Sequence, residues 1–188
     1  MKWGMATTTA TTNTFLQRLI GAAALDAAIY EEVEADTAST GQAVAVVIAS
    51  SLAAGVGARA FGGTTFGHVA FFGVVSLLAW AAWAILTFEI GARIMPQPQT
   101  RADVGQLLRT TGFAATPGLL RVFGILPGVT IPVFVITAIW MLAAMVVGVR
   151  QALDFQSTGR AIAVCVLGWL LAGAFAIGIG LFFGPTVS

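Results

Sequence analysis

The sequence predicts an all-α integral membrane protein of five transmembrane helices, the third broken by proline, preceded by an amphipathic N-terminal helix. Three observations predict it. Of 188 residues, 58% are hydrophobic and 9% charged, with a mean hydropathy of +0.93, whereas a soluble domain carries about a quarter charged residues to cover its core. Apolar runs long enough to cross hydrocarbon recur along the chain, separated by Pro, Gly and Arg. The acids are confined, five of the eight lying between Asp26 and Asp36 ahead of the first run.

Residues 1–14 form a Thr-rich polar tail, expected to be disordered, with no apolar core of the kind a removable signal peptide needs. From Phe15, the apolar positions Leu19, Ala22, Leu25, Ile29 and Val33 recur at helical spacing, with Arg18, Glu31, Glu32 and Glu34 on other faces. That pattern predicts one amphipathic helix within residues 15–38. Its acids argue against anionic headgroups and for contact with the protein's own cytoplasmic loops, or with a cytoplasmic partner. Residues 39–188 form the membrane domain.

Ser39 to Gln42 fits a capping box opening the first span, Gly41 to Ala58. The second runs from His68 to Ile94, with Glu89 and Arg93 one helical turn apart as an interfacial ion pair. Pro96 and Pro98 break the chain, and Thr100 with Asp103 is placed to cap a new helix. The third segment, Val104 to Gly128, carries Arg109, Gly112, Pro117 and Arg121 and is neither cleanly apolar nor cleanly soluble. Ile131 to Val149 and Ala161 to Phe183 follow, the last stopped by Gly184 and Pro185. If the third segment crosses, a cytoplasmic N-terminus places Lys2, Arg18, Arg93, Arg101, Arg109, Arg150 and Arg160 inside. Arg59 then lies outside and Arg121 toward the outer half. The chain is thus expected in the cell membrane, with its C-terminus across from its N-terminus.

Two stripes of small residues recur every fourth position: Gly41, Ala45, Ala49, Ala53 and Gly57 in the first span, and Gly168, Ala172, Ala176, Gly180 and Gly184 in the last. Small residues let helix backbones approach in lipid, so both stripes are expected to pack, against this chain, a second copy or another subunit. Trp80, Trp83, Trp140 and Trp169 fall in mid-span rather than at the headgroups. They read as packing residues or as walls for a lipid, pigment or other apolar ligand. Arg121, one turn after Pro117, is expected to bond released carbonyls, to snorkel outward, or to meet an anionic lipid headgroup.

Chemistry is sparse. Catalysis in a membrane needs ionisable groups facing one another, and no acid other than Glu89 falls within an apolar run. The lone Cys165 and lone His68 make no multi-ligand metal site, and a net charge of +1 offers no basic face for nucleic acid. No enzymatic activity and no cofactor are expected.

The order of motifs then becomes informative. Tyr30 to Asp36 followed by Ser39-Thr40-Gly41-Gln42-Ala43, Thr111-Gly112-Phe113-Ala114-Ala115-Thr116-Pro117-Gly118, Ile139-Trp140, and Gln156 to Ala161 together resemble the bacterial branch of the Yip (Ypt-interacting protein) domain family, over roughly Phe15 to Phe183. The resemblance implies a small polytopic membrane protein with a cytoplasmic N-terminus, five membrane segments and no known catalysis. Eukaryotic relatives bind prenylated GTPases, but this chain lacks the long cytoplasmic region and Asp-Leu-Tyr-Gly-Pro type motif that they use. Three roles follow as expectations: an accessory or organising subunit acting through helix packing, a small transporter, channel or lipid-handling protein built on the third segment, and an adaptor recruiting a partner through its N-terminal helix.

Overall fold

The structure, a computed structural model, describes residues 13–58 and 66–183, without the side chains of most of 66–75 and 173–183. The Thr-rich tail up to residue 12, Arg59 and Gly184 lie outside the described residues, as do the side chains of His68, Ala176 and Gly180.

Among the described residues the chain is all-helical. Two short helices come first, α1 (Phe15–Ala23) and α2 (Ala27–Ala35), then α3 (Thr40–Gly57) and α4 (Phe66–Phe88), which runs on as a π-helical turn through Glu89–Ile94. After α5 (Val104–Phe113) comes a 3-10 segment (Thr116–Ile125), then α6 (Thr130–Ala152) and α7 (Thr158–Phe183). Among the described residues, three stretches are long and apolar enough to cross a membrane: Thr37–Gly57, Ser76–Ile94 and Thr130–Ala152. A shorter apolar helix is described over Thr158–Ala172.

The N-terminal unit is a helical hairpin rather than one helix. Leu25 takes a left-handed φ of 62°, which reverses the chain, and the Asp26 side chain then accepts from Ala28 N at 3.0 Å to start α2. Arg18, expected on a solvent face, is buried at 2% exposure, because its partners lie on α2, across the turn.

Other helix starts also differ from expectation. The Ser39 side chain caps nothing; its hydroxyl donates to Val33 O at 2.8 Å, joining α2 to α3. Asp103, not Thr100, is the cap of α5, in a reciprocal pair with Gln106 at 2.7 and 2.8 Å. The Thr100 hydroxyl instead donates to Leu153 O at 3.0 Å, fastening the α4–α5 loop to the end of α6.

The third segment is two pieces. α5 ends where Pro117 has no N–H to give Phe113 O, and the Thr116 hydroxyl donates to that carbonyl at 2.6 Å instead. The chain continues as the 3-10 segment, with Pro117 in its first turn. This segment packs chiefly on α3 and α6, and it can lie that close because a Cβ at Gly57 would strike the Arg121 carbonyl and one at Gly118 the Ser50 hydroxyl.

The first small-residue stripe does not act as one face. Four residues turn a straight α-helix by roughly 400°, so each step drifts by about 40° and the ends of the stripe diverge. Gly57 and Ala53 are buried, whereas Gly41, Ala45 and Ala49 face outward. The inward face of α3 is Ala43, Val46, Val47, Ser50, Ala53 and Gly57. In α7, Gly168 packs against the Trp83 indole, and Ala172 is exposed.

Candidate functional site

Two assemblies stand out, a polar junction at one end of the helix bundle and a mostly apolar cavity within it that holds one cation. At the end bearing the N-terminal hairpin, Arg18 forks between α2 and α3. Its Nε donates to Glu32 at 2.9 Å, Nη2 to Asp36 at 2.8 Å and Nη1 to Gln42 at 3.0 Å. The Arg18 bond holds the Asp36 carboxyl below its ordinary range. Arg109 of α5, also buried, donates Nε to the carbonyls of Val33 and Glu34 at 3.0 Å and Nη2 to the Glu34 carbonyl. A cation there satisfies carbonyls left open at the end of α2 and opposes its dipole.

Around this junction Glu34, Glu31, Asp154, Arg150 and Gln151 line a polar recess. Burial, then the neighbouring Asp154, pushes the Glu34 carboxyl up to about 7, against the pull of Arg109. Two of the acids that motivated an adaptor surface, Glu32 and Asp36, are therefore spent on Arg18. Glu89 and Arg93 form the expected exposed ion pair at 2.9 Å.

The second assembly lies inside the bundle. A partly open cavity of about 460 Å³ is walled by α3, α4, α5, the 3-10 segment and α6, with Ser50, Trp80, Trp83, Arg121, Met141 and Met145 in its lining. Its surface is mostly apolar. Trp80 is held by its Nε1 donating to the Thr111 hydroxyl at 3.0 Å, so its ring forms a fixed wall. The Trp83 Nε1 is buried with no partner among the described residues and faces Gly168, which makes it a packing contact between α4 and α7.

Arg121 is half-buried. Its Nε donates to the Thr137 hydroxyl at 3.2 Å, and its guanidinium lies 5.5 Å from the Phe134 ring centre. The Thr hydroxyl and the ring face hold the cation without neutralising it. Among the described residues no carboxylate forms a salt bridge with it, and its Nη1 and Nη2 make no hydrogen bond. Thr137 stands seven residues into α6, roughly 10 Å from the end opposite the hairpin at 1.5 Å per residue.

Beside this cavity a smaller one of about 120 Å³ shares Arg121, Met141 and Met145 as walls and adds Trp169. Beyond it an apolar groove of about 500 Å³ runs between α6 and α7, past Met145, Cys165 and Trp169. Met145, a flexible side chain, lines all three and stands with Leu142 and Trp169 between the interior and the outer face of α6 and α7.

Of the residues singled out by sequence, Arg121, Trp80 and Trp83 come together on the cavity, Trp169 guards its side, and buried Pro117 supports the 3-10 segment from below. Trp140 does not join them: its Nε1 donates to Ala23 O at 2.7 Å, tying α6 to the end of α1. Sequence reasoning missed Ser50, Thr111 and Met141 because their relation to Arg121 depends on how the 3-10 segment lies on α3 and α6. Among the described residues no group of His, Cys, Asp and Glu could hold a metal ion.

A family model described as Yip1 domain matches residues 14–180. No curated protein and no solved structure matches the chain.

Proposed function

Because the chain belongs to the Yip1 domain family, a family of membrane proteins, we propose that it is a non-enzymatic, multi-pass membrane protein that holds a lipid from the bilayer in its interior cavity. Five crossings, with α5 and the 3-10 segment together as the third, put the hairpin in the cytoplasm and the C-terminus across the membrane. Length supports that crossing: 10 residues of α-helix and 10 of 3-10 helix reach about 35 Å if collinear, at roughly 1.5 and 2.0 Å per residue, against about 30 Å of hydrocarbon.

One observation carries the lipid reading: a cation stands in the wall of an apolar cavity with its fork unbonded among the described residues. A charge within a membrane segment costs up to about 2.5–3.5 kcal/mol at the helix centre on insertion scales and less toward the ends, and such residues mark ligand paths by default. The cavity lies in the range of roughly 300–1,000 Å³ usual for small-molecule sites.

Filling the cavity tests this reading. Ala54 lines it and is partly exposed, so Ala54→Phe takes up its space without displacing a buried core residue. Native mass spectrometry from mild detergent should find lipid retained by the wild type and lost from Ala54→Phe, with helicity unchanged by circular dichroism. Equal retention by both would remove the cavity from the account.

A second reading, an accessory or organising subunit, is supported by the outward Gly41, Ala45 and Ala49, since a Cβ at Gly41 would meet nothing within 4 Å. Such a face lets a partner helix or a second copy approach closely. Crosslinking through Ala45→Cys in native membranes distinguishes it; a chain that stays monomeric and captures no partner argues against it.

A further inference from the structure

Resting on the lipid reading above, we infer that the cavity selects an anionic phospholipid, taken from the leaflet opposite the N-terminal hairpin, with its phosphate on Arg121 and one acyl chain directed toward Met145. Three features carry the inference.

The first is charge. The Nη1 and Nη2 of Arg121 make no hydrogen bond among the described residues, and neither Thr137 and Phe134, which hold the guanidinium, nor any other residue lining the cavity is ionisable. A guanidinium fork binds phosphate oxygens through two parallel bonds, a geometry every phosphodiester headgroup offers; the choline cation of a zwitterion offsets the Coulombic attraction that a headgroup of net negative charge keeps in full. Nε is already committed to Thr137 and the ring face to Phe134, so the fork is oriented before any ligand arrives.

The second is direction. Arg121 lies near the end of the bundle where α3 finishes and α6 begins, about one headgroup depth in from it. From Phe134 to Met145 the cavity wall follows α6 for 11 residues, roughly 16 Å at the helical rise. Along that length it passes from the cation to Met141 and Met145, with the Ser50 hydroxyl close to Met141 at Gly118. A cation outward and methionines inward is how a lipid of the far leaflet already stands.

The third is access. The smaller cavity shares Arg121, Met141 and Met145 with the main one, and the apolar groove between α6 and α7 shares Met145 and Trp169 with the smaller. Met145, which lines all three, is a long, unbranched side chain that changes rotamer readily, so a chain passes sideways from bilayer to cavity without the helices separating. The volume of about 460 Å³ takes a single chain, leaving the second in the groove.

The experiment incubates full-length protein with an equimolar mixture of phosphatidylglycerol and phosphatidylcholine and reads the retained lipid by native mass spectrometry. The wild type should retain phosphatidylglycerol in roughly tenfold preference, as a charge-assisted bond allows. Arg121→Gln should bring the ratio near one by loss of phosphatidylglycerol, with phosphatidylcholine retention little changed. Arg121→Lys, which keeps the charge without the fork, should fall between. A wild-type preference preserved in Arg121→Gln overturns the inference while leaving the lipid reading intact. No retained lipid in the wild type overturns both. Two further arms fix the ligand. Stabilisation of lipid-free protein by inorganic phosphate, abolished by Arg121→Gln, would make this a free-anion site. Retention of a fatty acid in place of the phospholipid would replace phosphate by carboxylate as the group recognised.

Discussion

Replacing Arg109 by methionine should release the N-terminal hairpin from the bundle while leaving the membrane helices in place. Arg109 is 5% exposed and supplies the donors for the Val33 and Glu34 carbonyls at the end of α2. Methionine fills similar space and offers none. Val33 O keeps the Ser39 hydroxyl as a donor, so the Glu34 carbonyl is the acceptor left without one, at a cost of about 1–3 kcal/mol. Glu34 is only half-buried, which moves the expectation to the lower part of that range, about 1–2 kcal/mol. That is about one power of ten in the docked-to-undocked ratio. Hydrogen exchange followed by mass spectrometry reads the ratio directly: amides of Ala27–Ala35 should lose protection by that factor, and those of Thr130–Ala152 should keep theirs. Unchanged protection in α2 would refute the assignment of Arg109 as the anchor, and uniform loss throughout would show it to be a folding residue of the whole bundle.

The same junction should respond to pH. Glu34 is pushed up to about 7 when docked, against an ordinary value near 4.3 when released. The docked state therefore binds the extra proton between these values, and docking should be firmest in mild acid and weaken as pH rises through 7. Glu34→Gln should remove that dependence, read as α2 exchange rates corrected for intrinsic pH effects. Gly57→Ala places a methyl against the Arg121 carbonyl, a backbone atom that cannot swing aside, so α3 and the 3-10 segment must part at a cost of about 1–3 kcal/mol. The expected outcome is a lower melting temperature and weaker lipid retention, whereas Gly41→Ala, with open space around it, should change neither. Trp140→Phe removes the bond to Ala23 O and should speed exchange in α1 by about a factor of five to ten.

Much of the helical layout was legible in the sequence because its signals are local. Proline pairs, Gly-Pro stops and unbroken apolar runs placed the boundaries of α3 and α6 to within a few residues. What escaped depends on distance. Arg18 looked solvent-facing because its partners lie 14 and 18 residues away, across a reversal made by a leucine in a left-handed conformation, where glycine is the usual signal. Only Asp26, a good helix cap, hinted at that break. Ser39 and Gln42 looked like a capping box, yet Ser39 bonds Val33 and Gln42 accepts from Arg18, so tertiary partners overrode the local motif. The small-residue stripe divides between inward Ala53 and Gly57 and outward Gly41, Ala45 and Ala49 for a geometric reason, the drift of about 40° per step, that periodicity in the sequence does not display. For the site, the sequence supplied Arg121, Trp80 and Trp83 as unusual residues, but their shared cavity exists only because Pro117 and Thr116 end α5 and let the 3-10 segment lie against α3 and α6.

The central claim is that a lipid chain occupies the interior of this bundle rather than only its surface. Phosphatidylglycerol carrying a photoactivatable group near the end of one acyl chain, activated in membranes containing the protein, marks wherever that chain end resides. The account predicts adducts on Trp83, Met141 and Met145, lost in Ala54→Phe. Adducts confined to the outward residues Ile136, Ile139 and Leu170, and indifferent to Ala54→Phe, would contradict it.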